Sequence, residues 1–158
     1  MLFILLCTKA HPANFIPKLA LVTADGSIPC HLIGLLTPDA IGINLRVKVI
    51  SKLLTISTQT PEGTNVSWTE LLVGDESGCI ALQGRTEALA ELVPGSVARM
   101  SGLMTVVDAD GHMRLRAGKW TEIIKLPNDS DSPQDFTVNL EVNMTDRILI
   151  RETETTFI

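Results

Sequence analysis

A chain of 158 residues, 45% hydrophobic and 20% charged, has the material for one buried core and is too apolar for a disordered polymer. Its net charge of −5 excludes a uniformly basic phosphate-coating protein, yet the surplus is local: residues 41–125 hold nine Lys/Arg against nine Asp/Glu, while beyond Leu126 two Arg face seven carboxylates. Cys7, Cys30 and Cys79 are odd in number and far apart, which excludes a zinc-ligand spacing and a disulfide framework.

Residues 2–7 are apolar, but the run is too short to span a membrane and no basic residue precedes it as in a secretory signal. Residues 1–24 carry no acid and no Arg, so a mitochondrial address stays open beside a nuclear or cytoplasmic one. Within 41–57, Ile43, Leu45, Val47 and Val49 alternate with Asn44, Arg46 and Lys48, the period of a strand with one buried face. Leu54 and Ile56 fall in the opposite phase, which predicts a bulge or sharp coil inside one long strand.

A Thr-Pro-Glu-Gly turn at 60–63 leads to a second strand at 66–73. There Trp68 shares phase with Val66 and Leu72 and is expected in the core or half-buried. Glycines at both ends of Gly74-Asp-Glu-Ser-Gly78 predict a tight hairpin to a short third strand, 79–83. The period then changes. Thr86 as an N-cap, Glu87 in the first turn and Leu89, Leu92 and Val93 near one face predict a short helix over 86–93 that Pro94-Gly95 stops.

Two further strands, 97–107 and 113–124, flank Asp108-Ala-Asp-Gly-His112. That turn opens like a calcium loop but lacks the later ligands and the glutamate, so it predicts a hairpin and no metal. Three strands, one short helix and two strands form the order of an all-β, five-stranded OB-fold Greek-key barrel over 41–126. An extension, 1–40, precedes it, and an acidic linker and tail, 127–158, follow. In the tail, Phe136, Val138, Leu140, Val142 and Met144 alternate with polar residues. A lone strand cannot bury such a face, so it is expected to add to a sheet edge, on this barrel or on a docked protein partner. The barrel itself is expected to fold without it.

Leu72-Val-Gly-Asp-Glu-Ser-Gly78, Leu92-Val-Pro-Gly95 and Met113-Arg-Leu with Lys119-Trp120 together resemble the small eukaryotic single-stranded-DNA-binding OB proteins. These include the OB subunit of the single-strand sensor complex and its plant relatives. The resemblance covers 41–126 and implies a barrel that binds single-stranded nucleic acid and has no catalytic residues. Animal members stack bases on aromatic side chains; those positions fall here on Arg85, Met104, Asp108 and Arg116, none of them aromatic. Arg85 and Arg116 can substitute, because a guanidinium plane both stacks and contacts phosphate. Trp120, which the resemblance shares, is expected to close the base of the barrel.

The strand pattern itself points Arg46, Lys48, Arg114 and Arg116 outward as a basic stripe, with Lys119 beyond it, and the bland alternative is a solvated face with edge protection. No nucleophile elbow, Gly-rich phosphate loop or metal-ligand spacing is present, so no cofactor and no enzyme activity are expected. Two functions remain: weak binding of single-stranded DNA or RNA, or a structural subunit of a larger assembly, such as an organellar ribosome, docked through the barrel and tails.

Overall fold

The structure is a computed structural model that describes residues 29–127 and 137–148. Its longest element, β1 (Ile41–Gln59), carries two regimes. In the first, Ile43, Leu45, Val47 and Val49 are buried and the intervening side chains half-exposed, the alternation expected of a strand lying on a core. The register against β2 (Asn65–Asp75) then slips between Val49 and Ser51 and again between Lys52 and Leu54. These are the irregularities that the phase change predicts. Past them β1 pairs with β2 alone, and residues 52–59 are exposed on both faces. The two strands leave the barrel as a hairpin arm.

β3 (Gly78–Arg85), α1 (Thr86–Leu89), β4 (Val97–Val107), β5 (Met113–Arg116) and β6 (Glu122–Leu126) complete the chain order. The sheet runs β1-β2-β3-β5-β4-β6, and β1 also pairs with β4, so the first five strands close on themselves. Closure requires β3 and β5 to run parallel, which they do over Leu82–Leu115 and Gln83–Arg116. This is the OB barrel, with its helix between the third and fourth strands. Ile43, Leu45, Leu71, Ile80, Leu82, Met100, Leu103 and Leu115 fill it, all essentially without exposure. Aliphatic side chains do the packing that aromatics do elsewhere.

Three local expectations need correction. The last strand, read as one run, is two, because Gly102 in β4 takes a φ of 75° and the loop 117–121 lies against its backbone. A Cβ there would come within 2.9 Å of the Trp120 carbonyl oxygen, and the Thr121 hydroxyl donates to the Gly102 carbonyl at 3.2 Å. The ladder of β4 passes from β5 to β6 across this gap. Trp120 therefore does not close the barrel; it is 71% exposed on that loop. The helix is also shorter than its pattern. Thr86 makes no cap, because its hydroxyl bonds that of Thr69 at 3.0 Å.

The Gly74–Gly78 turn has a role the hairpin pattern does not disclose. Asp75 is buried, and its carboxylate accepts from the backbone N–H of Ile33 (2.9 Å), Ser77 (2.8 Å) and Gly78 (3.1 Å), so the charge is met by aligned donors. Ser77 Oγ accepts from Gly34 N–H at 2.8 Å. The short 3-10 turn Ile33–Leu35 is thereby held across the barrel with Ile33 in the core.

The tail is tied to the same corner. Asn139 N–H donates to the Asp75 carbonyl at 2.9 Å; Cys79 N–H donates to Val142 O at 2.8 Å and Met144 N–H to Cys79 O at 2.9 Å. This is the stretch of β3 that β5, which reaches only Leu82 and Gln83, leaves unpaired. Met144 enters the core, Val142 packs against it, and Val138 sits over Gly74 where no side chain intervenes. Leu140 stays exposed, and Phe136 lies outside the described residues. The tail is an irregular strap with one parallel bridge, Cys79–Asn143, and of the two edges expected for its apolar face, this barrel takes Val138, Val142 and Met144.

Candidate nucleic-acid interface

Strand register sets one surface apart. Leu54 of β1 lies opposite Glu70 of β2, Glu70 opposite Gln83 of β3, Gln83 opposite Arg116 of β5, and Arg116 opposite Met104 of β4. Two residues along the strands, Ile56 lies opposite Trp68, and Trp68 opposite Arg85. Side chains two apart share a face. The two rows therefore form one surface outside the barrel, while Thr69, Leu71 and Val73 point the other way and are buried. A groove lined by Leu54, Ile56, Trp68, Glu70, Gln83 and Arg116 runs along it.

Trp68 is 36% exposed on the outer face, so of the two places expected of it, in the core or half-buried, the core is excluded. Its ring carries the Arg85 guanidinium 5.5 Å from the centroid, a cation–π distance. A flat apolar ring beside a positive fork is a surface on which a base can stack while its phosphate is met. Arg116 is exposed one row over. Beyond it the chain turns into the β5–β6 loop, where the Lys119 ammonium lies 4.7 Å from the Trp120 ring centroid. Trp120 thus joins the candidates as a second exposed ring with its own cation.

The basic stripe does not survive as a unit. Arg114 and Arg116 share a parity, but Arg114 is ion-paired to Asp108 and lies 3.5 Å from Glu70 Oε2, so its charge faces two carboxylates. Asp108 in turn organises its hairpin by accepting from the N–H groups of Asp110 (3.1 Å) and His112 (3.0 Å). Arg46 and Lys48 sit on the barrel half of β1, opposite Arg99 and Val97 of β4, away from both rows. Lys48 lines a different groove, with Val138 and Leu140 of the tail. Arg85, Arg116 and Lys119 are the cations that the fold brings to the candidate surface or its border.

Glu70 carries a signal that the sequence pattern does not. It is 8% exposed at the floor of the groove, and its Oε2 accepts from Gln83 Nε2 at 2.9 Å. At the arm's tip Glu62 is held ionised below the ordinary carboxylate range by hydrogen bonds from the Thr60 hydroxyl and from its own backbone N–H. That charge makes the tip a poor seat for phosphate. Among the described residues no three His, Cys, Asp or Glu side chains gather as metal ligands, and no helix is long and apolar enough to cross a membrane.

Comparison with known proteins bears on the fold and the family. None of the curated proteins matches the chain. A solved solution structure of a hypothetical protein from Arabidopsis thaliana is similar at 21% identity over 94% of this chain and 99% of its own, with a TM-score of 0.56. A replication protein A heterotrimer solved bound to single-stranded DNA is similar at 18% identity over 65% of this chain and 26% of that one, TM-score 0.52. The second OB-fold domain of replication protein A from Methanococcus maripaludis is similar at 16% identity over 65% of this chain and all of that one, TM-score 0.51. At these identities the likeness is one of fold. The model of the single-stranded-DNA-binding, Ssb-like OB-fold proteins matches residues 36–125, more than half of the chain, and the protein belongs to that family.

Proposed function

We propose that this protein binds single-stranded DNA as a non-catalytic module, with the strand lying across the Ile56–Trp68–Arg85 and Leu54–Glu70–Gln83–Arg116 rows. The observation that carries this reading is Trp68: a large ring left open on the outer face, paired by register with Arg85, with Arg116 in the neighbouring row. Apolar surface of that kind costs free energy in water unless a ligand covers it. Few cations serve it, so affinity is modest and falls with salt at about −0.7 per phosphate contacted. The docking-block reading rests on the tail, where Leu140 and Ile148 remain exposed for a partner.

Fluorescence anisotropy of a labelled DNA 30-mer, with an RNA of the same sequence alongside, tests the proposal. Arg85→Ala with Arg116→Ala is expected to weaken binding at least about tenfold, or about 1.4 kcal/mol, with Tm unchanged because both side chains lie outside the core. Unchanged affinity at unchanged Tm sinks the assignment of this face.

A further inference from the structure

Glu70 and Gln83 form a cross-strand pair on the floor of the groove, and their hydrogen bond fixes what they show to a ligand. A carboxylate accepts only, so the Gln83 amide must turn its NH2 toward Glu70, as the 2.9 Å contact to Oε2 records. Arg114 approaches the same Oε2. Glu70 Oε1 and Gln83 Oε1 take no hydrogen bond among the described residues. Their side chains line the groove between Trp68 and Arg116. The floor therefore presents two acceptor oxygens beside the second N–H of the Gln83 amide, and one of the two belongs to a carboxylate that is 8% exposed and can only accept.

A carboxylate oxygen can only accept, so at Glu70 a ligand that supplies a donor is favoured over one that brings a further acceptor. Bases stacked on a platform are read along their exposed hydrogen-bonding edges. Cytosine, adenine and guanine each carry an exocyclic amino group there; thymine and uracil carry two carbonyl oxygens around a single N–H. We propose that the Glu70–Gln83 pair makes this site selective for a base bearing an exocyclic amino group and unfavourable to thymine and uracil. The inference rests on the single-strand reading above and adds the specificity to it. Arg116, at the other side of Gln83, meets the phosphate without choosing a base.

Anisotropy titrations of labelled dC12 and dT12, at one salt concentration and slightly alkaline pH, test it. Both are pyrimidine homopolymers, so ring size and strand flexibility are held constant. dC12 is expected to bind about tenfold tighter than dT12, within the range that a well-placed base contact supplies. Glu70→Gln keeps the shape but offers an NH2 that thymine O4 can accept, so the ratio should fall to within about twofold at unchanged Tm. Binding of neither strand overturns the single-strand reading and this inference with it. Binding of dT12 equal to or tighter than dC12 overturns the selectivity alone. A preference that persists in a folded Glu70→Gln variant removes Glu70 from the role.

Discussion

The two halves of β1 are one continuous strand under opposite pressures. From Ile43 to Val49 every second side chain is buried, and the strand pairs with β4, β2 joining only at Lys48 and Val49; from Lys52 onward neither face is covered and β2 is the sole neighbour. Yet the exposed half is not polar: Leu53, Leu54 and Ile56 are 47%, 42% and 52% exposed. The difference teaches that apolarity in this chain marks two things. In the first half it pays for the barrel, and in the second it builds the groove.

Truncating each half tests the division. Leu45→Ala, at a position with no exposure, is expected to cost about 2–5 kcal/mol through lost burial and a residual cavity. Ile56→Ala is expected to stay below about 1 kcal/mol, because a half-exposed side chain leaves no cavity, while weakening DNA binding. Urea denaturation and anisotropy on both variants separate the halves. If Ile56→Ala destabilises as much as Leu45→Ala, the arm belongs to the core.

A smaller effect is expected where the tail meets β3. Met144 is a core side chain contributed from outside the strands, and Met144→Ala should cost about 2 kcal/mol, the low end for large-to-small changes because it lies at an edge. Removal of everything after Leu126 should cost at least as much, yet unfolding should stay cooperative, since all six strands precede that point. Loss of cooperativity in the truncated chain would make the strap a full member of the barrel. DNA affinity should be indifferent to either change, which distinguishes this side from the arm.

The barrel half of β1 was legible because period two and an abrupt phase change are local signals. The core face of β2 was not. Val66, Trp68 and Leu72 make the even-numbered face read as the more apolar one, and a parity rule sends the more apolar face inward. The central core takes Leu71 and Val73 instead, while Val66 is buried outside that cluster. Two apolar faces on one strand are the trace a ligand groove leaves in sequence, and that trace was readable at Trp68. The Arg114–Glu70–Gln83 contacts were not, because they join residues on three strands through a register that no local pattern encodes. The same holds for Asp75, whose hydrogen bonds reach 42 residues back to Ile33.

The smallest effect concerns two titrating groups that the comparison sets apart. Glu62, fully solvated at the arm's tip, has its pKa lowered by its Thr60 and backbone hydrogen bonds; Cys79, where the strap meets β3, has its pKa raised, first by burial and then by the charge of Asp146. The signs differ accordingly. A lowered carboxyl pKa contributes stability above its unfolded value and loses it as pH falls, and a raised thiol pKa contributes stability that is lost as pH rises. For Cys79 the loss begins near the ordinary thiol value of 9.0, because above it the unfolded chain releases a proton that the folded chain retains. Denaturation midpoints measured from about pH 8 upward should therefore fall more steeply for the native sequence than for Cys79→Ala. Asp146→Asn should lie between them, having removed only the second cause. Cys30 is exposed and serves as the internal control: it should alkylate quickly in the folded protein, and Cys79 only as the strap lifts. Equal alkylation rates for the two thiols would mean that the strap does not hold Cys79 closed in solution.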